Sequence, residues 1–285
     1  MTSLGIDIGG SSIKCAATRD GQTLWTRRSG QYRQPSRAQL VAALREAAGD
    51  LSAPYDAVGL CLPGLLDRPN RRVTLSINVP ALTNEPLDAV VADALGALSP
   101  RATLLTDAHA AAYDIYASSR FSGRLLLLVL GTGVGAAVWD ESGPLHVDGE
   151  SPGHLGQMDV SLEDEIIVGQ DGGAGSLEAY LGTAALRGRY GDDFVAKLPT
   201  LSVDEAPLRA LARAIRIAHA IYRPHHVCLA GGIGNALGPT LPILQALINK
   251  DLTRIARPGW TLTCGNSDYH AALGAAGLAV ASART

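Results

Sequence analysis

Asp7 is the one acid in the otherwise apolar run Leu4-Gly5-Ile6-Asp7-Ile8, and two glycines, Gly9 and Gly10, follow it ahead of Ser11, Ser12, Ile13 and Lys14. A carboxylate inside an apolar strand is costly unless a cation or hydrogen bonds compensate it. Glycine tolerates positive φ and lets the backbone approach another group closely, so a strand ending in two glycines can aim free N–H groups at an anion. The acid and the turn together suit a magnesium–phosphate site; an ordinary β-hairpin with a satisfied Asp7 is the plainer alternative. Two more glycine turns follow apolar strands: Gly131-Thr132-Gly133-Val134-Gly135 and Gly231-Gly232. Each can offer backbone N–H groups to phosphate oxygens. None has the G-x-x-x-x-G-K-[ST] or G-x-G-x-x-G pattern, which argues against a P-loop or a dinucleotide fold. A second acid, Asp107, follows the apolar stretch Thr103-Leu104-Leu105-Thr106 where a helix begins. It can cap that helix. It can also take a proton from a hydroxyl that attacks a γ-phosphoryl group, chemistry that needs a positioned acceptor, a magnesium ion and phosphate clamps.

Such residues need elements to hold them. Apolar runs bounded by turn signals predict strands at 4–8, 13–17, 23–27, 57–62, 103–106, 124–130, 136–139, 226–230 and 260–264. Helical spacing predicts helices at 40–51, behind a capping box of Ser36 and Gln39, and at 86–98, 108–116, 176–187, 204–222, from about 238, and 269–283. Pro63-Gly64 reverses the chain; the segment beyond it, with Asn78 before Pro80, reads as a loop. Residues 149–175 are the least regular stretch, and His225-His226 reads as an exposed turn. Strands alternating with helices indicate an α/β class. The interval from Gly9 to Gly21 is 12 residues, and so is that from Gly131 to Gly143. In both places a strand, a glycine turn, a strand and a second turn follow in order. Two related domains, each opening with a three-strand antiparallel meander, account for this repetition; two unrelated hairpins are the other reading.

The bulk composition narrows the partners. The chain has 285 residues, 47% of them hydrophobic, enough for one large or two modest cores. A net charge of −3 without a basic run argues against nucleic acid. No apolar run nears the roughly 18 residues of a membrane span, and no signal peptide opens the chain. Cys15, Cys61, Cys228 and Cys264 lie far apart without metal-type spacing, as expected of a reduced cytoplasmic protein.

The combination of Asp7-Ile8-Gly9-Gly10-Ser11 with Lys14, Pro63-Gly64-Leu65-Leu66-Asp67, Asp107-Ala108, Gly131-Thr132-Gly133-Val134-Gly135 and Gly231-Gly232-Ile233 resembles the ROK family. That family groups sugar kinases and sugar-responsive repressors within the actin/hexokinase superfamily, and the order of motifs matches along nearly the whole chain. No helix-turn-helix segment precedes Leu4, so the resemblance points to the kinase branch. It implies a two-domain actin/hexokinase-like (ribonuclease-H-like) α/β fold with a cleft between the domains. The smaller domain would comprise 1–108 plus 272–285 and the larger 109–271. A homo-oligomer, most simply a dimer, is implied as well.

By the same resemblance Asp7 would position magnesium through ATP, with Gly9, Gly10, Ser11 and Lys14 at the phosphates. Gly131, Thr132 and Gly133 would hold the phosphates from the other side, Gly231 and Gly232 would border the adenosine, and Asp107 would be the general base. The sugar side departs from the family. Thr106 stands where the family has asparagine, and Gly153-His154-Leu155-Gly156-Gln157 stands where it has G-E-x-G-H. The stretch 169–178 keeps the glycines and the final Glu178 of the family's zinc motif but none of its cysteines, so no zinc is expected. Asn78, Thr106, Asp107, His154, Gln157 and Glu178 become the candidate substrate contacts. The expectation is an ATP- and magnesium-dependent kinase for a sugar or sugar-like polyol. The alternative is a non-catalytic sugar- or nucleotide-binding relative, a pseudokinase or sensor.

Overall fold

The computed structural model describes residues 1–49, 54–96, 101–147, 151–169 and 172–283. The chain divides into two compact units, Met1–Ile115 with Tyr269–Thr285, and Tyr116–Asp268. Leu51, Leu98, Gly149, Gln170 and Asp171, which fall in elements or loops anticipated above, lie outside the described residues.

In the first unit, strands β1 (Thr2–Ile8), β2 (Ile13–Arg19), β3 (Gln22–Arg28), β4 (Ala57–Cys61) and, beyond a separate ribbon of β5 (Leu65–Asp67) and β6 (Arg72–Leu75), β7 (Thr103–Leu105) build the structure. The main sheet runs β3-β2-β1-β4-β7. β1 pairs antiparallel with β2, from Thr2↔Arg19 to Ile8↔Ile13, and parallel with β4, where Asp7 faces Cys61. β4 pairs parallel with β7. One face of β1 carries Leu4, Ile6 and Ile8, which join Leu40 and Leu44 of helix α1 (Arg37–Ala48) in a buried core. That helix opens on the anticipated capping box, with the Ser36 and Gln39 side chains each bonded to the other's backbone N–H.

Alternation puts Gly5 and Asp7 on the opposite face. There the alanine-rich C-terminal helix, His270–Ala283, lies directly on the strands. A Cβ on Gly5 would fall 1.7 Å from the Ala272 carbonyl oxygen, and one on Gly59 would fall 2.1 Å from that of Ala275. Glycines on the sheet and alanines on the helix are what allow two backbones to come this close. Helix α2 (Leu87–Leu95) and helix α3 (Asp107–Ser119) complete the elements that begin in this unit.

The second unit repeats the plan. Strands β8 (Leu125–Leu130), β9 (Val134–Asp140), β10 (Gly143–Pro144), β11 (His226–Ala230) and β12 (Thr261–Cys264) form a sheet of order β10-β9-β8-β11-β12. β8 again pairs antiparallel with the strand that follows it and parallel with β11. Helices α4 (Leu177–Leu181), α5 (Thr183–Tyr190), α6 (Phe194–Lys197), α7 (Ala206–Tyr222), α8 (Gly231–Ala236) and α9 (Leu241–Lys250) belong to this unit. Leu208, Leu211 and Ile215 of α7 pack with Leu126, Leu128 and Leu130 of β8 in its core. Each unit therefore carries a sheet that opens with an antiparallel meander and closes with parallel strands, a mixed α/β arrangement in line with the expected fold class.

Several elements differ from the sequence expectation. The segment after Pro63-Gly64 is not a loop but the β5–β6 ribbon, in which Leu65 opposes Leu75. Gly64 at φ +104° lies against the Leu75 carbonyl, and this tight reversal leaves no hydrophobic run to announce the strands. The helix expected over 176–187 breaks at Gly182, whose backbone is extended, into α4 and α5. The helix after β11 starts at Gly231 rather than near Gly238, a start that the poor helix propensity of paired glycines concealed. The short helix α6 had no periodic signal. His225 and His226 are not an exposed turn. The His225 Nδ1 accepts from the Arg124 N–H at 2.7 Å, and His226 lies in β11, stacked on Phe121 with ring centroids 4.1 Å apart.

Candidate functional site

In the first unit the candidate residues Asp7 and Asp107 lie at the carboxyl ends of the parallel strands, the edge at which open α/β sheets bind ligands. Asp7 is the next-to-last residue of β1 and is 8% exposed. Its cross-strand partner is Lys14, whose Nζ lies 4.0 Å from Asp7 Oδ2. Among the described residues the Asp7 carboxylate accepts no hydrogen bond. Burial pushes its pKa up to about 6; Lys14 and Arg28 pull it down, and the Asp107 carboxylate pushes it further up.

Asp107 follows β7 and is the first residue of α3. The cap of this helix is Thr106, whose Oγ1 accepts from the His109 N–H at 3.4 Å while its carbonyl accepts from the Ala110 N–H. Asp107 is thus relieved of the capping role. One of its oxygens accepts from the Ala108 N–H at 2.7 Å. Desolvation raises its pKa above the usual carboxylate value, against the backbone hydrogen bond to Ala108 and the charge of Lys14. The two acids therefore share one low-dielectric edge and one lysine.

The glycine turn between β1 and β2 is held from outside the hairpin. Gly9 N–H donates to the Ser12 carbonyl at 3.1 Å. The Tyr32 hydroxyl donates to the Gly9 carbonyl at 2.6 Å, and the Tyr32 N–H donates to the Ser11 carbonyl at 2.9 Å. Ser29 Oγ accepts from the Ile13 N–H at 3.0 Å. Gly10 is half-buried and Ser11 is exposed at the tip. Asn78 is half-buried at the bend before the 3-10 turn Pro80–Leu82.

In the second unit the turn Gly131–Gly133 is anchored in a similar way. Gly131 N–H donates to the Gly133 carbonyl at 3.0 Å, and the Gly131 carbonyl accepts from both the N–H and the hydroxyl of Thr183, each at 3.0 Å. Glu178 lies under the turn: its Oε2 accepts from the Val134 N–H at 2.9 Å, and a Cβ on Gly133 would come within 2.5 Å of that oxygen. The structure thus engages one Glu178 oxygen with the glycine turn. Thr132 is exposed at the tip. Gly231 at φ +80° lies against the Leu130 carbonyl, so β11 can turn into α8 only with glycine there, while Gly232 borders open space. His154 and Gln157 are exposed at the ends of one 3-10 turn, Gln157 N–H donating to the His154 carbonyl at 2.9 Å. Ser176 caps α4, its Oγ accepting from the Ala179 N–H.

The structure brings Asp7, Lys14 and Asp107 together in the first unit, and Gly131–Gly133 with Glu178 in the second. It spends the Thr106 hydroxyl on a helix cap. Sequence reasoning gave no weight to Tyr32, Ser29 or Thr183. None belongs to a glycine or acidic motif, and the role of each is visible only as a hydrogen bond to a distant segment.

Similarity to other proteins follows the same outline. A ROK family glucokinase from Streptomyces griseus in complex with glucose and AMPPNP superposes with a TM-score of 0.76 at 18% identity, over 99% of this chain and 100% of the other. A ROK hexokinase from Thermus thermophilus gives 0.72 at 22% identity, over 100% and 99%. A ROK family transcriptional regulator, a homologue of the E. coli MLC protein, gives 0.73 at 15% identity, over 99% of this chain and 79% of the other. No curated protein sequence matches the chain. The ROK family profile matches residues 3–282, almost the entire sequence, and the chain belongs to the ROK family.

Proposed function

We propose that the protein is an ATP-dependent kinase for a sugar or sugar-like polyol, with Asp107 as the general base. The observation that carries this reading is the pair of desolvated carboxylates, Asp7 and Asp107, beside Lys14 at the carboxyl ends of β1 and β7. A buried acid with no hydrogen bond among the described residues, a lysine at 4.0 Å and the weaker charge of Arg28 is poorly compensated by the protein itself, and a divalent cation would complete it. The donor set fits a hard cation brought in with a nucleotide, with Asp7 as the protein's contribution. Bound there, magnesium would neutralise charge on the phosphates. The chain's own residues do the rest. Gly9, Gly10, Ser11 and Lys14, and Gly131, Thr132 and Gly133, are read as phosphate-binding turns, and Gly231 and Gly232 as neighbours of the adenosine. Asp107, held by the Ala108 N–H, accepts the proton of the substrate hydroxyl. Its raised pKa makes it a better proton acceptor than an ordinary surface aspartate.

Asn78, His154 and Gln157 remain the candidate contacts for the acceptor, with Thr106 and Glu178 contributing what their structural bonds leave available. No zinc enters this reading. By the resemblance, Gly169, Asp171, Ser176 and Gln157 stand at the positions of the family's zinc ligands, with no cysteine or histidine among them, and the Ser176 hydroxyl is already committed to a helix cap. Backbone bonds such as Val160 N–H to the Gly175 carbonyl, 2.8 Å, hold that loop instead. We expect a homodimer.

ADP release across a panel of sugars and polyols, with ATP and magnesium, tests the assignment. Asp107→Asn should lower turnover by roughly 10²- to 10⁴-fold while nucleotide still binds. Near wild-type turnover in that variant would remove Asp107 from the mechanism. The commitment of Thr106 to the α3 cap favours a second reading, a binding protein that retains nucleotide affinity without transfer. Silence across the panel with measurable sugar or nucleotide binding would select it.

A further inference from the structure

The two glycine turns share a device that neither motif contains. In each, the first glycine closes the turn with its own N–H, Gly9 onto the Ser12 carbonyl at 3.1 Å and Gly131 onto the Gly133 carbonyl at 3.0 Å. In each, the carbonyl of that same glycine accepts a side-chain hydroxyl from outside the hairpin: Tyr32 at 2.6 Å on Gly9, Thr183 at 3.0 Å on Gly131. The two hydroxyls come from unrelated surroundings. Tyr32 lies in the segment between β3 and α1, and Thr183 opens α5. Gly9 and Gly131 nevertheless occupy corresponding places, at the ends of the first strands of two sheets with the same strand order.

A trans peptide is planar, with its carbonyl oxygen and its N–H on opposite sides. Fixing the Gly9 carbonyl toward Tyr32 therefore turns the Gly10 N–H to the other side of the turn. Fixing the Gly131 carbonyl toward Thr183 does the same to the Thr132 N–H. Neither N–H has a hydrogen-bond partner among the described residues. Tyr32 adds a second tie, since its own N–H holds the Ser11 carbonyl at 2.9 Å and so orients the Ser12 N–H. Without these ties a glycine peptide can flip at little steric cost, because it has no Cβ to prevent it.

We propose that Tyr32 and Thr183 are positioning residues for phosphate binding, each latching a glycine carbonyl so that the next backbone N–H is presented to an anionic phosphate oxygen. The proposal rests on the reading of these turns as nucleotide-binding. It goes beyond that reading by assigning the orientation of the turns to two side chains outside them. Burial and the nearby Asp7 carboxylate keep the Tyr32 phenol protonated and therefore a donor. Thr183 supplies its backbone N–H to the same carbonyl, so loss of its hydroxyl should matter less than loss of the Tyr32 hydroxyl.

The test is calorimetric titration of the full-length protein with Mg-ATP and with ADP, alongside thermal melts. Tyr32→Phe keeps the ring and removes the hydroxyl; Thr183→Val removes a hydroxyl at nearly constant volume; Thr183→Ser restores it. One lost hydrogen bond of this kind should raise the nucleotide Kd about three- to tenfold in Tyr32→Phe and less in Thr183→Val, with Thr183→Ser close to wild type. In the melts Tm should stay near the wild-type value, and in turnover assays the KM for ATP should rise while that for the acceptor does not. If the wild type binds nucleotide and both Tyr32→Phe and Thr183→Val bind it equally well, the latch is wrong and the nucleotide reading stands. If the wild type binds no nucleotide, both fall. If Tyr32→Phe does not fold, the Thr183→Val and Thr183→Ser pair decides alone.

Discussion

Asp7 places a carboxylate where water barely reaches it, and the structure compensates this only in part, with Lys14 at 4.0 Å and the weaker charge of Arg28. The folded pKa of about 6 lies above the ordinary value of 3.8. As pH rises from about 4 to about 6, the unfolded chain releases this proton before the folded one does. Asp7 therefore costs stability progressively across that window, and the full cost stands above it. A shift of this size corresponds to about 3 kcal/mol. Replacing the group with a neutral isostere should recover part of it. We expect Asp7→Asn to gain about 1–3 kcal/mol in urea denaturation at pH 7, to gain little at pH 4, and to lose turnover. An equal gain at both pH values would show that the ionised carboxylate is not the source. At this scale the sequence was informative about residue types and silent about partners. An acid in an apolar run identified Asp7. Nothing in the run Thr103–Leu105 showed that Thr106, rather than Asp107, would cap α3, because either side chain can do so and only the backbone at the junction decides.

At the scale of elements, the decisive contacts are between backbones. Gly5 and Gly59 admit the C-terminal helix so closely that a single methyl on either would overlap a carbonyl oxygen of that helix. Gly59→Ala is expected to destabilise by about 3 kcal/mol or more or to abolish soluble expression, measured by denaturation beside Gly96→Ala, where a Cβ meets nothing within 4 Å. Gly96 lies at φ +74°, so its substitution reports backbone strain alone; equal losses at the two sites would overturn the packing argument. These glycines also explain why the elements were legible to different degrees. Strands with long apolar runs, such as β8 and β11, and helices with clear periodicity, such as α7, announce themselves. The β5–β6 ribbon, the break at Gly182 and the early start of α8 depend on glycines whose role is a close approach to another segment, and one sequence position does not reveal what it will touch.

For the molecule as a whole, the repeated 12-residue interval between glycine turns carried more information than any single motif. It corresponds to two sheets of identical order, β3-β2-β1-β4-β7 and β10-β9-β8-β11-β12. Each has its own core, and among the described residues none belongs to both. Leu44 and Leu211 are fully buried, one in each core. Leu44→Ala and Leu211→Ala should each cost about 2–5 kcal/mol, and in the double variant the two losses should add to within about 0.5 kcal/mol in chemical denaturation. A larger departure from additivity would mean that the cores respond as one. The proposed acceptor contacts were the least legible part. His154 and Gln157 are exposed on an irregular segment, where neither periodicity nor spacing constrains a side chain.

The C-terminal helix has a consequence in time. It covers the face of β1 and β4 that bears Gly5, Asp7 and Gly59, yet it is made only after all of Tyr116–Asp268. During synthesis the first strands leave the ribosome early and wait, with that glycine-lined face bare, for a helix that does not yet exist. The second unit, continuous in sequence, has every one of its strands in hand before that helix appears. The second unit is thus expected to be completed before the first, and the edge that carries Asp7 is closed only after it.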